Sequence, residues 1–134
     1  MEQILINLPA TDLRTSVKFY ASLGFSTKPL FSDEYQKCMV WSDQIYVMLM
    51  SPEKFKTYSQ RPIPNLKDGT MAYFTLPVES LSRVNEIVEN GLKAGGKEPT
   101  PMINERFMQI RRIVDLDGHM WDILYMDLSK FKKG

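Results

Sequence analysis

The side chains that could carry chemistry in this sequence are few, and several lie in its C-terminal third. Asp122 interrupts an apolar run, Met120 to Tyr125, whose residue types are typical of a β-strand. A buried carboxylate is costly unless it is paired, so we expect Asp122 to contact Arg111, Arg112, Tyr73 or a ligand cation. Asp122 is therefore a candidate for a general acid or base, and equally for one half of a structural ion pair.

Arg111 and Arg112 are adjacent on the predicted strand that precedes Asp122. Because successive side chains on a strand point to opposite faces, the two guanidinium groups should face opposite ways. The fork of a guanidinium can hold a carboxylate or a phosphate with two hydrogen bonds. We favour Arg111 as the arginine that faces a ligand, and Arg112 stays the alternative because the strand register decides between them.

The chain has one histidine and one cysteine, which limits the chemistry open to it. His119 follows the Asp117-Gly118 turn, so we expect a turn-capping or solvent-facing role for it. A site with two histidines and one carboxylate for iron is excluded within one chain. Cys38 lies in an apolar segment without a neighbouring histidine, and we expect a buried, inert thiol. A single cysteine forms no intrachain disulfide, which favours the cytoplasm.

Length and charge are those of one ordinary globular domain. The chain has 134 residues, with 17 basic and 16 acidic side chains and a net charge of +1. This balance argues against a nucleic-acid partner. No apolar run approaches the roughly 20 residues of a membrane span, and the N-terminus lacks the features of a secretory signal. We expect a cytoplasmic protein that needs no cofactor, with a solvated basic tail at 129–134.

The first half of the chain has the pattern βαβββ. An apolar run at Ile4–Leu8 ends at Pro9, and a helix over 12–23 is predicted from its apolar face, with Asp12 as the N-cap and Gly24 at the exit. Three further strands are predicted at Phe25–Phe31, Lys37–Trp41 and Ile45–Met50.

The second half repeats this pattern after a proline-containing connector at 52–69, in which Pro52-Glu53-Lys54-Phe55 could make one helical turn. A strand at Thr70–Leu76 leads to a helix over 80–94, which is capped by Ser80 and closed by Gly95-Gly96. The remaining predicted strands are a weak one at Lys97–Met102 and two stronger ones at Phe107–Val114 and Met120–Tyr125.

The two halves also match in sequence. Leu8-Pro9-Ala10-Thr11-Asp12-Leu13 corresponds to Leu76-Pro77-Val78-Glu79-Ser80-Leu81, an offset of about 68 residues. We therefore predict a single domain with module one at about 1–51, a connector at 52–69 and module two at about 70–128. Two such modules bury their sheets against one another and leave a cleft with equivalent positions facing each other.

The tandem pattern, together with the SVKFYASLGF segment from Ser16 to Phe25 and the DLDGHMWD segment from Asp115 to Asp122, resembles the vicinal oxygen chelate superfamily. This superfamily includes glyoxalase I, bleomycin-resistance proteins and extradiol dioxygenases. The resemblance covers nearly the whole chain. It implies an α+β fold with a curved eight-stranded mixed sheet around a cleft, and it implies a homodimer.

The resemblance also implies where a metal would be bound. Metal enzymes of the family place ligands on the first and last strands of each module, and these positions fall on Leu5, Tyr73, Val47 (within one residue) and Asp122. Only Asp122 carries a donor that suits zinc, nickel, iron or manganese. We therefore expect no metal.

The remaining cleft positions follow from strand alternation. If those four side chains face the cleft, so do Asn7, Leu49, Thr75 and Leu124. The opposite faces, toward the helices, then carry Ile4, Ile6, Tyr46, Met48, Phe74, Trp121 and Ile123. Such a cleft is mostly apolar, which suits a small organic molecule; a closed, packed core with Tyr73 bonded to Asp122 is the alternative.

Two functional hypotheses remain. In the first, the protein binds a small apolar or aromatic carboxylate between its modules without metal or chemistry. Arg111 would bind the acid group. The apolar part would pack against Leu5, Val47 and Leu49. The orientation of the ligand would be fixed by Asn7, Tyr73 and Thr75. In the second, the protein is a lyase, isomerase or epimerase of the glyoxalase I type, with Asp122 as acid/base and Tyr73 as donor to the oxyanion. Binding is favoured because paired titratable groups are lacking.

Overall fold

Within residues 2–130 the fold consists of eight strands and three α-helices. The computed structural model describes residues 2–130, so Met1 and most of the predicted basic tail, 131–134, lie outside the described residues. In chain order the elements are β1 (Ile4–Pro9), α1 (Leu13–Leu23), β2 (Ser26–Thr27), β3 (Gln36–Val40), β4 (Ile45–Met50), α2 (Pro52–Ser59), β5 (Phe74–Val78), α3 (Leu81–Lys93), β6 (Ile103–Asn104), β7 (Met108–Val114) and β8 (Met120–Met126).

The strands form two mixed sheets of the same topology. Module one has the strand order β1-β4-β3-β2, and module two has the order β5-β8-β7-β6. In each module the first and last strands pair in parallel and the others pair antiparallel. The predicted α+β fold of two βαβββ modules is confirmed, with the eight strands divided into two four-stranded sheets.

Helix boundaries follow the predicted caps. The side chain of Asp12 accepts a hydrogen bond from the backbone N–H of Thr15 at 3.2 Å, and Gly24 ends α1 with a φ of 116°. Ser80 accepts from the backbone N–H of Arg83 at 3.0 Å and begins α3. These short-range contacts satisfy backbone groups that the helix itself leaves free.

Several element boundaries differ from the sequence prediction. The strand predicted at Phe25–Phe31 is only Ser26–Thr27, because Pro29 begins a 3-10 turn. In the weak segment Lys97–Met102, only Lys97 forms a bridge, to Val114, because the prolines there donate no hydrogen bond to a ladder. The strand predicted to start at Thr70 starts at Phe74.

The predicted connector at 52–69 contains a helix. The side chain of Ser51 caps the backbone N–H of Lys54, Pro52 takes the first helical position and Glu53 lies in the first turn. The resulting helix, α2, packs against β1 and β4. None of the helices within residues 2–130 is long and apolar enough to cross a membrane.

One apolar core joins the two modules. It lies between the sheets and the helices α1 and α3, and its largest fully buried members are Trp121, Tyr20, Phe19 and Leu23. The hydroxyl of Tyr20 donates to Asp115 at 2.6 Å and accepts from the indole N–H of Trp121 at 3.0 Å. Burial raises the pKa of Asp115. This polar contact fixes α1 of module one against β8 of module two.

His119 lies at the same junction. Its ring nitrogen Nε2 is 2.9 Å from the carbonyl oxygen of Pro9, and its backbone N–H donates to Asp115 at 2.8 Å. Nearby, the backbone N–H of Thr11 donates to Asp117 at 2.9 Å. His119 is half-buried and joins the turn before β8 to the end of β1.

Candidate functional site

The face of each sheet opposite α1 and α3, here called the open face, is where a ligand could reach the strands. In module one the parallel register places Leu5 beside Tyr46 and Asn7 beside Met48. Val47 and Leu49 are fully buried in the core on the helix side. The prediction that Val47 and Leu49 face the cleft is therefore wrong, as is the placement of Tyr46 and Met48 toward the helices.

A one-residue difference in register explains this correction. Thr75 pairs with Asp122 in module two, whereas Asn7, the repeat equivalent of Thr75, pairs with Met48 in module one. The structural equivalent of Asp122 is thus Met48 and not Val47. A shift of one residue moves every side chain of a strand to the opposite face.

A cavity of about 690 Å³ lies on the open face of module one. All residues that line it belong to module one or to α2: Gln3, Leu5, Asn7, Phe31, Gln36, Tyr46, Met48, Met50, Phe55, Tyr58 and Ser59. The strands supply the floor, and α2 supplies Phe55 and Tyr58 as one wall. Of the predicted ligand-binding residues, the structure brings only Leu5 and Asn7 to this cavity.

The polar end of the cavity is built around the hydroxyl of Tyr46. This oxygen accepts hydrogen bonds from the amide of Gln3 and from the ammonium of Lys28, each at 3.3 Å. The ammonium also lies 5.2 Å from the centre of the Tyr46 ring and 5.3 Å from that of Phe31. An ammonium at these distances interacts favourably with both aromatic faces.

Cys38 lies on the same open face, in a small cluster with Tyr46, Met48 and Met50. It is buried, as predicted, and burial raises the pKa of its thiol. A thiol with a raised pKa is mostly protonated at neutral pH, so it is a poor nucleophile.

Asp122 and Arg112 form an ion pair on the open face of module two. The Nε and Nη2 groups of Arg112 donate to the two carboxylate oxygens of Asp122 at 2.6 and 3.0 Å. These hydrogen bonds raise the pKa of Arg112. The Arg112 guanidinium also lies 4.8 Å from the centre of the Tyr73 ring. Of the partners considered for Asp122, the structure pairs it with Arg112, which lies directly opposite Asp122 on the neighbouring strand.

Arg111 points the other way. Its guanidinium donates to Glu98 through Nε and Nη2, both at 2.8 Å, and to Glu89 on α3 at 2.9 Å. These hydrogen bonds, chiefly those to Glu98, raise the pKa of Arg111. It shares a strand face with Ile113, which is in the core. The prediction that Arg111 faces the cleft is wrong, because strand alternation gives that face to Arg112.

The other predicted site residues lie on module two. Tyr73 and Thr75 are exposed, and Leu124 is buried beside Asp122 on the open face. Tyr46, Phe55 and Tyr58 line the cavity but were not among the predicted site residues; Lys28, also not predicted, contacts Tyr46 and Phe31 of the lining. The helical turn considered at Pro52–Phe55 is the first turn of α2, and the Ser51 cap before it was the further signal for this helix.

The donor set on the open faces does not fit a metal ion. With the corrected register, the positions at which the resemblance implies metal ligands are Leu5, Met48, Tyr73 and Asp122, and the carboxylate of Asp122 is already bound by Arg112. Across residues 2–130, no group of three or more His, Cys, Asp or Glu side chains is placed to hold a metal.

Comparisons with known proteins identify the fold. The sequence matches no protein-family model and none of the curated proteins compared. Among solved structures, a hypothetical protein from S. aureus is 23% identical, with a TM-score of 0.78 over 93% of this chain and 94% of that chain.

Two further structures have the same TM-score. A glyoxalase/bleomycin resistance protein/dioxygenase family enzyme from Burkholderia phytofirmans PsJN is 11% identical, with a TM-score of 0.78 over 94% of this chain and 99% of that one. A glyoxalase-related enzyme from Fulvimarina pelagi is 18% identical, with a TM-score of 0.78 over 93% of this chain and 88% of that one. The chain therefore has the α+β fold of the glyoxalase/bleomycin resistance protein/dioxygenase group, the vicinal oxygen chelate fold.

Proposed function

We propose that this protein binds a small, largely apolar organic molecule in the module-one cavity. The observation that carries the proposal is the cavity itself, whose volume of about 690 Å³ falls in the range of small-molecule sites. Its walls combine Met48, Met50, Phe55 and Tyr58 with a few neutral polar groups. Methionine side chains adapt to ligands of different shape, which suits a binding site of this kind.

We also propose that binding needs no metal and that Asp122 has a structural role. Neither Leu5 nor Met48 offers a donor suited to the metals of this fold. Both oxygens of Asp122 accept hydrogen bonds from Arg112, so the carboxylate is engaged and lies on the other module. These contacts support the binding hypothesis over the lyase, isomerase or epimerase alternative, in which Asp122 would have to be free to take a proton.

The neutral fluorescent probe N-phenyl-1-naphthylamine tests the location of the site. Leu5 lines the cavity, and its repeat equivalent Tyr73 lies on the open face of module two. The side chains are similarly exposed, 50% and 55%. We expect Leu5→Trp to fill the cavity and weaken probe binding about tenfold or more, and Tyr73→Trp to leave it unchanged. Equal binding by both variants and the wild type would contradict the proposal.

We further propose that the protein forms a homodimer and is cytoplasmic. Helix α2 covers the open face of module one, whereas on that of module two Tyr73 and Met126 are 55% and 37% exposed. A second copy could cover this apolar surface. Light scattering should give twice the mass of the chain at micromolar concentration, and a monomer there would contradict the dimer. The single, buried Cys38 suits a reducing compartment.

A further inference from the structure

Among residues 2–130 Lys28 has no acidic partner, and its ammonium contacts Tyr46 and Phe31, two residues that line the cavity. It is half-buried, and within residues 2–130 no carboxylate lies within 4.0 Å of its ammonium. The contacts that hold it are the hydroxyl of Tyr46 and two aromatic rings. By contrast Lys54, which lies over the ring of Tyr58, has Asp33 at 3.8 Å. An ammonium partly removed from water with no counter-charge attracts an anion.

The hydroxyl of Tyr46 has a proton left to donate. It accepts from Lys28 and Gln3, and in the part of the chain that is described no protein group accepts from it. The ammonium and the hydroxyl are 3.3 Å apart, so one acid group could accept from both. Two donors at one end of a cavity form a site for a carboxylate.

The rest of the cavity favours an apolar body on the same ligand. No residue that lines it is an aspartate or a glutamate, so the cavity wall itself carries no carboxylate that would repel an anion. Met48, Met50 and Phe55 provide the apolar surface away from the ammonium. The charge distribution therefore has one positive end and a neutral, apolar remainder.

We propose that the ligand of the module-one cavity is an organic acid, with its carboxylate bound by the ammonium of Lys28 and the hydroxyl of Tyr46 and its apolar part against Met48, Met50 and Phe55. This inference rests on the proposed function and adds the chemical class of the ligand. It also moves the anion site from Arg111, which faces α3, to a residue of module one.

Calorimetric titration with two probes of the same shape tests this assignment. Naphthalene-2-acetate carries the acid group, and naphthalene-2-acetamide is its neutral equivalent. We expect the wild type to bind the acid about tenfold tighter than the amide. Lys28→Met should remove this preference, so that the acid and the amide bind with similar affinity, while the matched control Lys54→Met and the conservative variant Lys28→Arg should retain it.

The outcomes separate this inference from the proposed function. If N-phenyl-1-naphthylamine binds but the acid has no advantage over the amide, or if neither naphthalene probe binds, the acid assignment is wrong and the binding site stands. A preference for the acid that survives Lys28→Met also overturns the assignment. If no probe binds, including the neutral fluorescent one, the proposed function fails as well.

Discussion

The two partners of the Asp122–Arg112 pair differ in exposure, and this difference determines what each substitution should do. The side chain of Asp122 is 9% exposed and that of Arg112 is 27% exposed. Removing the buried carboxylate leaves the guanidinium without its partner on a partly desolvated strand. The loss of one partner of a buried pair is more damaging than the replacement of both.

Asp122→Asn should therefore lower the free energy of unfolding by about 2–3 kcal/mol, toward the lower limit for buried pairs because Arg112 is partly exposed. The double variant Asp122→Asn with Arg112→Met should recover most of this loss, since no unpaired charge remains. Urea denaturation of the wild type and these two variants measures both effects. A stable Asp122→Asn protein would show that the carboxylate is not structural and would favour the acid/base alternative.

Single-residue roles could be predicted where they depend on near neighbours. The caps Asp12 and Ser80 and the exit at Gly24 are set by contacts within a few residues, and the sequence shows them directly. The face of Val47, or the choice between Arg111 and Arg112, depends on strand register, which distant strands determine. A slip of one residue reverses the result, so type and spacing alone could not decide it.

At the scale of elements, Arg111 connects β7 to α3 and to the segment that follows α3. Its hydrogen bonds to Glu98 hold the pKa of that carboxyl below its ordinary value of 4.5. A group with a lowered folded-state pKa stabilises the fold above its unfolded pKa, and this stabilisation is lost as the pH falls through the folded value.

Glu98→Gln should thus cost about 1 kcal/mol at neutral pH, and the difference from wild type should shrink as the pH falls below about 4.5. Urea denaturation from about pH 7 to about pH 3 tests this. The matched control is Glu89→Gln. The carboxylate of Glu89 also contacts Arg111, but this side chain is 55% exposed, so its loss should lower the free energy of unfolding by less. If the difference in unfolding free energy between wild type and Glu98→Gln grew as the pH fell, the Glu98–Arg111 pair would not stabilise the fold as described.

Gly91 allows α3 to approach its neighbours closely. A Cβ atom there would lie 2.9 Å from Ile113 Cγ1 and 2.9 Å from Leu23 Cδ2, both in the core. Gly91→Ala should stabilise the helix by up to about 1 kcal/mol through helix propensity, but overpacking against the core should cost more. We expect the free energy of unfolding to fall by about 1–2 kcal/mol in total. In thermal unfolding, Gly91→Ala should have a lower midpoint than the wild type. The control Ser82→Ala, at an exposed position of the same helix, should not lower the midpoint. A more stable Gly91→Ala would indicate that the helices separate easily.

The helix α2 marks the limit of prediction for elements. The two modules were recognisable because each repeats a strand, a proline, a cap and a helix-opening leucine. The helix lies outside that repeat and has 8 residues, so its periodicity is weak and its cap at Ser51 is the main signal. Without α2 the cavity has no wall from Phe55 and Tyr58. The repeat alone predicts a cleft between the modules and contains no signal for a cavity within one module.

At the scale of the whole molecule, the repeat is preserved in topology and has diverged at the open faces. Module one combines a largely apolar floor with the helix α2 beside it and with Lys28, a cation that has no acidic partner among residues 2–130. Module two has an ion pair, Asp122 with Arg112, and no helix over its open face among residues 2–130. This asymmetry predicts one binding site per chain, in module one.

Methionine methyl groups report on the two open faces in a single measurement. Met48 and Met50 line the module-one cavity, whereas Met108, Met120 and Met126 share the open face of module two with Asp122. In a protein labelled with carbon-13 at its methionine methyl groups, the neutral probe N-phenyl-1-naphthylamine should shift the signals of Met48 and Met50 and leave those of Met108, Met120 and Met126 in place. Shifts confined to the module-two methionines, or no shift in either set, would contradict a ligand site in module one.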